Sequence, residues 1–351
     1  MAESFPMNGG DGTYSYTNNS QFQKQGFDLA IGMIKEAITE KLDTEITGTF
    51  QIVDFGCSVG PNTLFAMENM IEAVKNKCIL QGLDSKNMEF QVSFNDHTEN
   101  DFNTLFASLP LDRQYHAAGV PGSFYRRLFP RASINLAYSS YALQWLSKMP
   151  DEVSDRKSMA WNEGKIHYNG SPREVVDAYA NQFEKDMGVF ISARAEEILS
   201  GGLMILIMPG IPESAAHLPY SAGVLFNFLE SSLMDLAIEG IIDKAEIDAF
   251  NLPIYFPTDE EMRKVIEKNG CFSIEMIEFA NPKSPVNGSL DADSWIMHLR
   301  AGMDGIFTKY FGYDVTEKMF NKTLSKSEEI SHFLQSGHFN STQLFVVLKR
   351  K

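Results

Sequence analysis

The stretch FQIVDFGCSVGPNT, residues 50–63, decides the fold. Its opening run FQIVDF (50–55) is apolar and β-rich, carries Asp54 near its end, and is followed at once by Gly56, Gly60 and Pro61. Glycine lets the backbone approach a ligand closely, and Pro61 suits the first turn of a helix, where its missing N–H costs nothing. A strand, a glycine turn and a helix together make a nucleotide cleft. The GxxxG spacing differs from GxGxxG, and no P-loop lysine accompanies the helix start, so dinucleotide and triphosphate readings both weaken. An adenosyl sulfonium carries no phosphate; it needs polar groups at its amino-acid end and a carboxylate at its ribose hydroxyls. Asp54 and Asn62 suit the first need. Asp96, closing the second strand in SFNDHT (93–98), suits the other, and His97 would then line the adenine. Asp96 lies further from the glycines than the roughly 20 residues of a dinucleotide unit, a delay that the polar stretch near Gln81 explains. Taken alone, a glycine after a buried strand is only a turn.

Working outward, further β-rich runs stand at MEFQVSF (88–94), INLAYS (134–139), LMILIM (203–208), FSIEMIEF (272–279) and QLFVVLK (343–349). Helical segments separate them, which predicts an α/β fold with a mostly parallel sheet. The helix before 203–208 is expected to be capped by Ser171, to hold Pro172 in its first turn and to stop at Gly201 and Gly202. From Ile211 to Phe250, Val224, Leu225, Phe228, Leu229, Leu233 and Leu236 recur at helical spacing and predict a helical insertion. Two helical stretches are expected between the last two strands, and residues 81–86 and 281–289 read as surface excursions. The chain then divides into a cofactor-binding α/β core with an N-terminal lid segment (1–210), a largely helical acceptor-binding cap with one returning core strand (211–300), and C-terminal helices with the final strand (301–351).

With 351 residues, 44% hydrophobic and 22% charged, the chain can bury one large core or two lobes around a cleft. Lys and Arg are outnumbered 30 to 46 by Asp and Glu, and a formal charge of −16 repels nucleic acid and anionic membrane. Cys57, Cys78 and Cys271 are widely spaced with no CxxC pair, so no disulfide framework is implied. The histidines form no HExxH or His-Cys cluster, which gives zinc little support. Residues 1–10 lack a basic segment followed by an apolar one, and no long uncharged apolar stretch follows. A cytoplasmic protein is the expectation.

More segments carry information: MNGGDGTYSY (7–16), NDFNTLF (100–106), GVPGSFYRRLFP (119–130), SSYALQWLS (139–147) and FNLPIY (250–255). With DFGCSVGPNT (54–63) they resemble, in order and spacing, the SABATH family of plant carboxyl and N-methyltransferases from about Met7 to Lys349. The resemblance implies a Rossmann-like methyltransferase fold with a seven-stranded sheet and a helical cap, S-adenosyl-L-methionine as methyl donor, and a homodimer. It further implies cofactor contacts from Tyr16, Cys57, Asn62, Asp96, His97, Ser123 and Phe124, with Asp54 nearby. Asn8 replaces the lysine of some members and brings no positive charge to the cofactor carboxylate.

Methyl transfer from a sulfonium is an in-line displacement, so the acceptor must present a lone pair opposite the leaving sulfur. A carboxylate, with a pKa near about 4, is already ionised at neutral pH and needs no general base. Catalysis then comes from holding both reactants close and aligned. The absence of a Ser-His-Asp or Cys-His set fits that chemistry. In carboxyl-methylating members, a glutamine and a tryptophan grip the acceptor; here the matching stretches are NSQFQ (19–23) and QWLS (144–147), giving Gln23 and Trp145. The resemblance places Tyr141, Gln144, Leu225, Phe226, Tyr255 and Leu299 around the rest of a small carboxylic acid. Gln144, Phe226 and Leu299 depart from the salicylate-type pocket, and Gln144 suggests a larger acid or one with a second polar group. Terpenoid, iridoid, indole, jasmonate-like and benzoate-like acids stay open. So do an N-methyltransferase of xanthine-like purines and a non-catalytic cofactor-binding relative. Some members hold Mg²⁺ at positions matching Asn162, Asp248, the backbone of Phe250 and Asn251, an oxygen set that suits a hard cation.

Overall fold

The computed structural model describes residues 5–43, 48–83, 88–215, 221–280, 291–335 and 342–351. Strands form at β1 (Thr49–Phe55), β2 (Glu89–Asp96), β3 (His116–Pro121), β4 (Ile134–Ser140), β5 (Ile198–Pro209), β6 (Phe272–Ala280) and β7 (Gln343–Arg350). They join in one seven-stranded sheet of order β3-β2-β1-β4-β5-β7-β6. The pairs β1/β2, β2/β3, β1/β4 and β4/β5 are parallel, whereas β7 runs antiparallel to both of its neighbours. This is the Rossmann-like α/β methyltransferase fold expected from the sequence. From β1 the chain moves outward to β3 and then returns to lay β4 on the other side of β1, which opens a crevice at the carboxyl ends of those two strands.

Side-chain alternation explains why the sheet is buried on both faces. In β5, Leu203, Ile205 and Ile207 pack on one face, and Met204, Leu206 and Met208 on the other. On the first face lie α2 (Gln21–Lys41) and α3 (Pro61–Leu80). The second face packs against α5 (Arg173–Glu197) and α8 (Asp259–Asn269), and its core continues without a break into α6 (Ser221–Ile238), α7 (Lys244–Ala249), α9 (Ala292–Phe311) and α10 (Tyr313–Leu324). The cap therefore shares its core with the sheet. The short α1 (Tyr16–Asn19), α4 (Phe102–Ala107) and α11 (Ser327–Gln335) complete the α-helices among the described residues.

Most expected elements form, with Pro61 at the first position of α3 behind a Gly60 cap. The differences have physical reasons. β3 was not expected as a strand because HAAGVP offers few β-branched or aromatic side chains; it lies at the sheet edge, half exposed. Ser171 does not cap α5: its hydroxyl donates to Asn162 Oδ1 at 2.7 Å, and Pro172 stands at the cap position. Gly201 and Gly202 lie inside β5 and do not end the helix. At φ +79° Gly201 passes so close to Asp43 that a Cβ would sit 2.6 Å from its carbonyl oxygen. The expected boundary at residue 300 cuts through α9, and among the described residues three helices, not two, stand between the last two strands. Residues 281–289, and 84–86 of the stretch 81–86, lie outside the described residues.

Behind the crevice, the Arg194–Glu197 pair is fully buried, with Nε 2.7 Å from Oε2. The guanidinium lies 4.2 Å from the Phe55 ring centre and donates to the carbonyls of Phe124 and Arg126, each at 2.8 Å. Glu197 Oε1 accepts the N–H groups of Leu128 and Phe129 at 2.5 and 2.9 Å. One ion pair thus fixes the backbone of residues 124–129. Arg194→Met strands a buried carboxylate, and urea denaturation is expected to show a loss of about 3–5 kcal/mol.

Candidate active site

Just past β1 the backbone turns sharply. Gly56 has φ +88°, and a Cβ there would come within 2.3 Å of the Ala142 Cβ. Ser58 takes the left-handed conformation at φ +51°, unusual for a residue with a side chain. Its N–H donates to Asp96 Oδ2 at 2.7 Å, while the His97 N–H donates to Oδ1 at 2.7 Å. Asp96 therefore ties the glycine turn to the end of β2. Burial raises its carboxyl above the usual range, and these two N–H donors oppose that shift.

Asp54 is 3% exposed and receives the hydroxyl of Thr63. Burial pushes its pKa up to about 7, Thr63 opposes the shift, and the charge of Asp96 adds to it. Tyr16 from the N-terminal segment feels both acids, and burial above all raises its phenol. Burial likewise raises the Cys57 thiol well above its ordinary value. Asn62 is turned toward the same segment, its Nδ2 donating to the carbonyl and hydroxyl of Ser20 at 3.0 Å each.

A cavity of about 1500 Å³, its open mouth included, runs from this turn toward the cap. Tyr16, Asp96, His97, Ser123 and Phe124 line it at the sheet end. Gln23, Tyr141, Gln144, Trp145, Leu225, Phe226 and Leu299 line the remainder. Asp54, Cys57 and Asn62 wall a smaller adjoining pocket that shares Tyr16, Gln23 and Gly56 with it. Tyr255 departs from expectation. It lines neither pocket; its hydroxyl donates to Glu261 Oε1 at 2.7 Å, and its ring packs between Tyr168 and Phe183. Asn8 also stays off the cavity wall and instead secures the N-terminal segment, its N–H donating to Ala301 O at 3.0 Å.

Trp145 is held through its backbone. Tyr125 donates its hydroxyl to the Trp145 carbonyl at 2.7 Å, and Trp145 bridges to Ile254 in the returning FNLPIY segment. Two residues on, Ser147 donates its N–H and hydroxyl to Asp186 at 2.8 and 2.6 Å. Gln23, on α2, has a buried Oε1 without a hydrogen-bond partner.

Asn162, Asp248 and Asn251 gather beside Phe250, as the metal expectation requires, but one oxygen of each is turned toward a different protein donor. Asn162 Oδ1 accepts from Ser171 at 2.7 Å, Asn251 Oδ1 accepts from Asn162 Nδ2 at 2.6 Å, and Asp248 Oδ1 accepts from Gly164 N at 2.9 Å. A hard cation needs several oxygens turned toward one point. In this arrangement the set does not fit Mg²⁺, and no cluster of three His, Cys, Asp or Glu suited to a metal occurs among the described residues.

Several cavity residues escaped the sequence reading. Trp295, His298, Leu299, Gly302 and Met303 form one face of α9. Only Leu299 was expected there, although the i, i+3, i+4, i+7 spacing was visible in the sequence. Phe5, Pro6 and Met7 also line the cavity. Ser58 does too, and its buried hydroxyl has no partner. Nothing in its local sequence marks Ser58 as a ligand.

A sheet of this order, with an acid-tied glycine turn opening into a deep, largely apolar cavity, defines a methyltransferase with a buried acceptor site. The comparisons sharpen that class. The sequence model of the family described as SAM dependent carboxyl methyltransferase matches residues 2–351. Loganic acid O-methyltransferase of Catharanthus roseus is 44% identical over 356 residues, covering 99% of this chain and 95% of the relative. Farnesoic acid carboxyl-O-methyltransferase of Arabidopsis thaliana is 41% identical over 354 residues, covering 100% of both. A solved structure of loganic acid methyltransferase with SAH superposes with a TM-score of 0.92 at 44% identity, covering 99% of each chain. The chain belongs to the S-adenosylmethionine-dependent carboxyl methyltransferase family, the SABATH group.

A cofactor ammonium or ribose brought against Asp54 and Asp96 favours their ionised forms. S-adenosylhomocysteine binding near pH 6.5 is therefore expected to release protons, and affinity to rise through about pH 7, where Asp54 loses its proton. Calorimetry in buffers of different ionisation enthalpy measures both. Without cofactor the sign reverses, because the folded state holds the Asp54 proton more tightly than the unfolded chain and this group's contribution to stability falls between about pH 4 and 7.

Proposed function

We propose that this protein converts the carboxylate of a small organic acid into its methyl ester, with S-adenosyl-L-methionine as donor. The observation that carries the reading is the meeting of Gln23 and Trp145, from α2 and from the segment after β4, on the wall of the same cavity that ends at Asp96. In this reading the donor's sulfonium lies over the carboxyl ends of β1 and β4, and the amide of Gln23 and the indole of Trp145 hold one carboxylate oxygen. The other oxygen attacks the methyl carbon as the bond to sulfur breaks. Neutral donors suit that task, since they orient the carboxylate without quenching its lone pairs as Arg or Lys would. No proton has to be removed, and proximity with alignment supplies the acceleration.

With labelled S-adenosylmethionine and a panel of acids and xanthines, label is expected in base-labile ester. Label in base-stable product would support purine N-methylation instead, and no transfer with tight cofactor binding would support a non-catalytic protein. Gln23→Ala and Trp145→Phe are each expected to reduce transition-state stabilisation by about 1.5–3 kcal/mol. Their affinity for S-adenosylhomocysteine should stay near wild type, and unaltered turnover in both variants would remove the pair from the acceptor site.

We also propose a cytoplasmic homodimer. Family resemblance supports the dimer, and three unpaired cysteines, two of them buried, fit a reducing compartment. Sedimentation velocity is expected to give twice the 39.4 kDa chain mass.

A further inference from the structure

If Gln23 and Trp145 hold the carboxylate, the rest of the acid faces the other cavity walls. Most of those are apolar, among them Leu225, Phe226, Leu299 and Met303. Gln144 and His298 are polar exceptions, and the structure fixes which atom each can offer.

Gln144 is 8% exposed, and its Nε2 donates to Tyr141 O at 2.7 Å. A carbonyl oxygen only accepts, so the amide nitrogen must face Tyr141 and Oε1 must turn away from it. That oxygen is buried without a hydrogen-bond partner. His298 is constrained in the same way by the carbonyl of Asn19, which lies 3.1 Å from Nδ1 and requires a proton there. Burial holds the imidazole below its usual range and the ring stays neutral, so the lone pair sits on Nε2. The rings of Phe22 and Trp295, centred 5.6 and 5.3 Å away, flank the imidazole. Both side chains thus present acceptors, whereas no hydrogen bond fixes the direction of the buried Gln23 Oε1.

We propose that Gln144 and His298 read a hydroxyl on the acid, so that the natural acceptor is a hydroxylated acid and not a hydrocarbon one. The inference rests on the ester-forming reading above and narrows its substrate class. An apolar tail would take water from two acceptors and give nothing back, and an unsatisfied buried acceptor is costly. An alcohol O–H meets that need without adding charge to an acid that is already anionic.

The test is kcat/KM on matched acids with and without a hydroxyl: cyclohexanecarboxylic acid and its hydroxy derivatives, benzoic acid and the hydroxybenzoic acids, and loganic acid against farnesoic acid. Wild type is expected to favour hydroxylated members by about tenfold or more. Gln144→Met and His298→Phe, which remove the acceptors and keep the bulk, should each shrink that preference by roughly tenfold, mainly through KM for the hydroxylated acid. Calorimetric binding of S-adenosylhomocysteine checks that both variants are folded. Preference for the plain acids, or a ratio that neither variant moves, would overturn the proposal while leaving ester formation intact. If no acid on the panel is esterified, the ester-forming reading fails and takes this one with it.

Discussion

The cofactor end of this molecule depends on the carboxylate of Asp96. It accepts one N–H from Ser58 and one from His97, so a single side chain fastens the glycine turn after β1 to the tip of β2. Those bonds, with Asn100 Nδ2 donating to the Ser58 carbonyl at 3.1 Å, hold Ser58 at its left-handed φ of +51°. The same carboxylate lines the cavity and keeps lone pairs free, so the group that shapes the turn also faces the space a ligand would fill. Two more anchors reinforce the arrangement: Asn95, whose carbonyl accepts the N–H groups of Gly56 and Cys57, and the buried Arg194–Glu197 pair behind Phe124.

The acceptor end is built differently. Its walls come from α2, from the segment after β4, from α6 and from α9, far apart in sequence and joined by the continuous core that links sheet and cap. Trp145 can be positioned well only because Tyr125, Ile254 and the Ser147–Asp186 bonds restrain its backbone from three sides. In-line displacement tolerates little misalignment. This arrangement meets that demand by anchoring the backbone while the indole remains on the cavity wall.

Much of the sheet end of the cavity was legible because its residues sit in short motifs next to strand ends, where Asp54, Gly56, Pro61 and Asp96 each have a local physical reason. The buried strands were legible for the same reason, as runs such as LMILIM have few other fates. β3 was not, since an edge strand of Ala, Gly and Pro carries no apolar signature. Tyr255 misled because FNLPIY does reach the cavity through Ile254, while the next side chain points to Glu261. His298 and Trp295 lay on a readable helical face, but which face of α9 meets the cavity is decided by its packing against α10 and the N-terminal segment, and no single sequence states that.

The two ends of the chain stand in unequal relation to the chemistry. Phe5, Pro6 and Met7 form part of the cavity wall, and Asn8 is bonded to Ala301 on α9. Lys351 follows β7, which runs against its neighbours and finishes beside Phe272 and Leu203, at the end of the sheet opposite the crevice. An affinity handle joined after Lys351 would therefore hang from the side of the sheet away from the cavity that Phe5, Pro6 and Met7 help to wall.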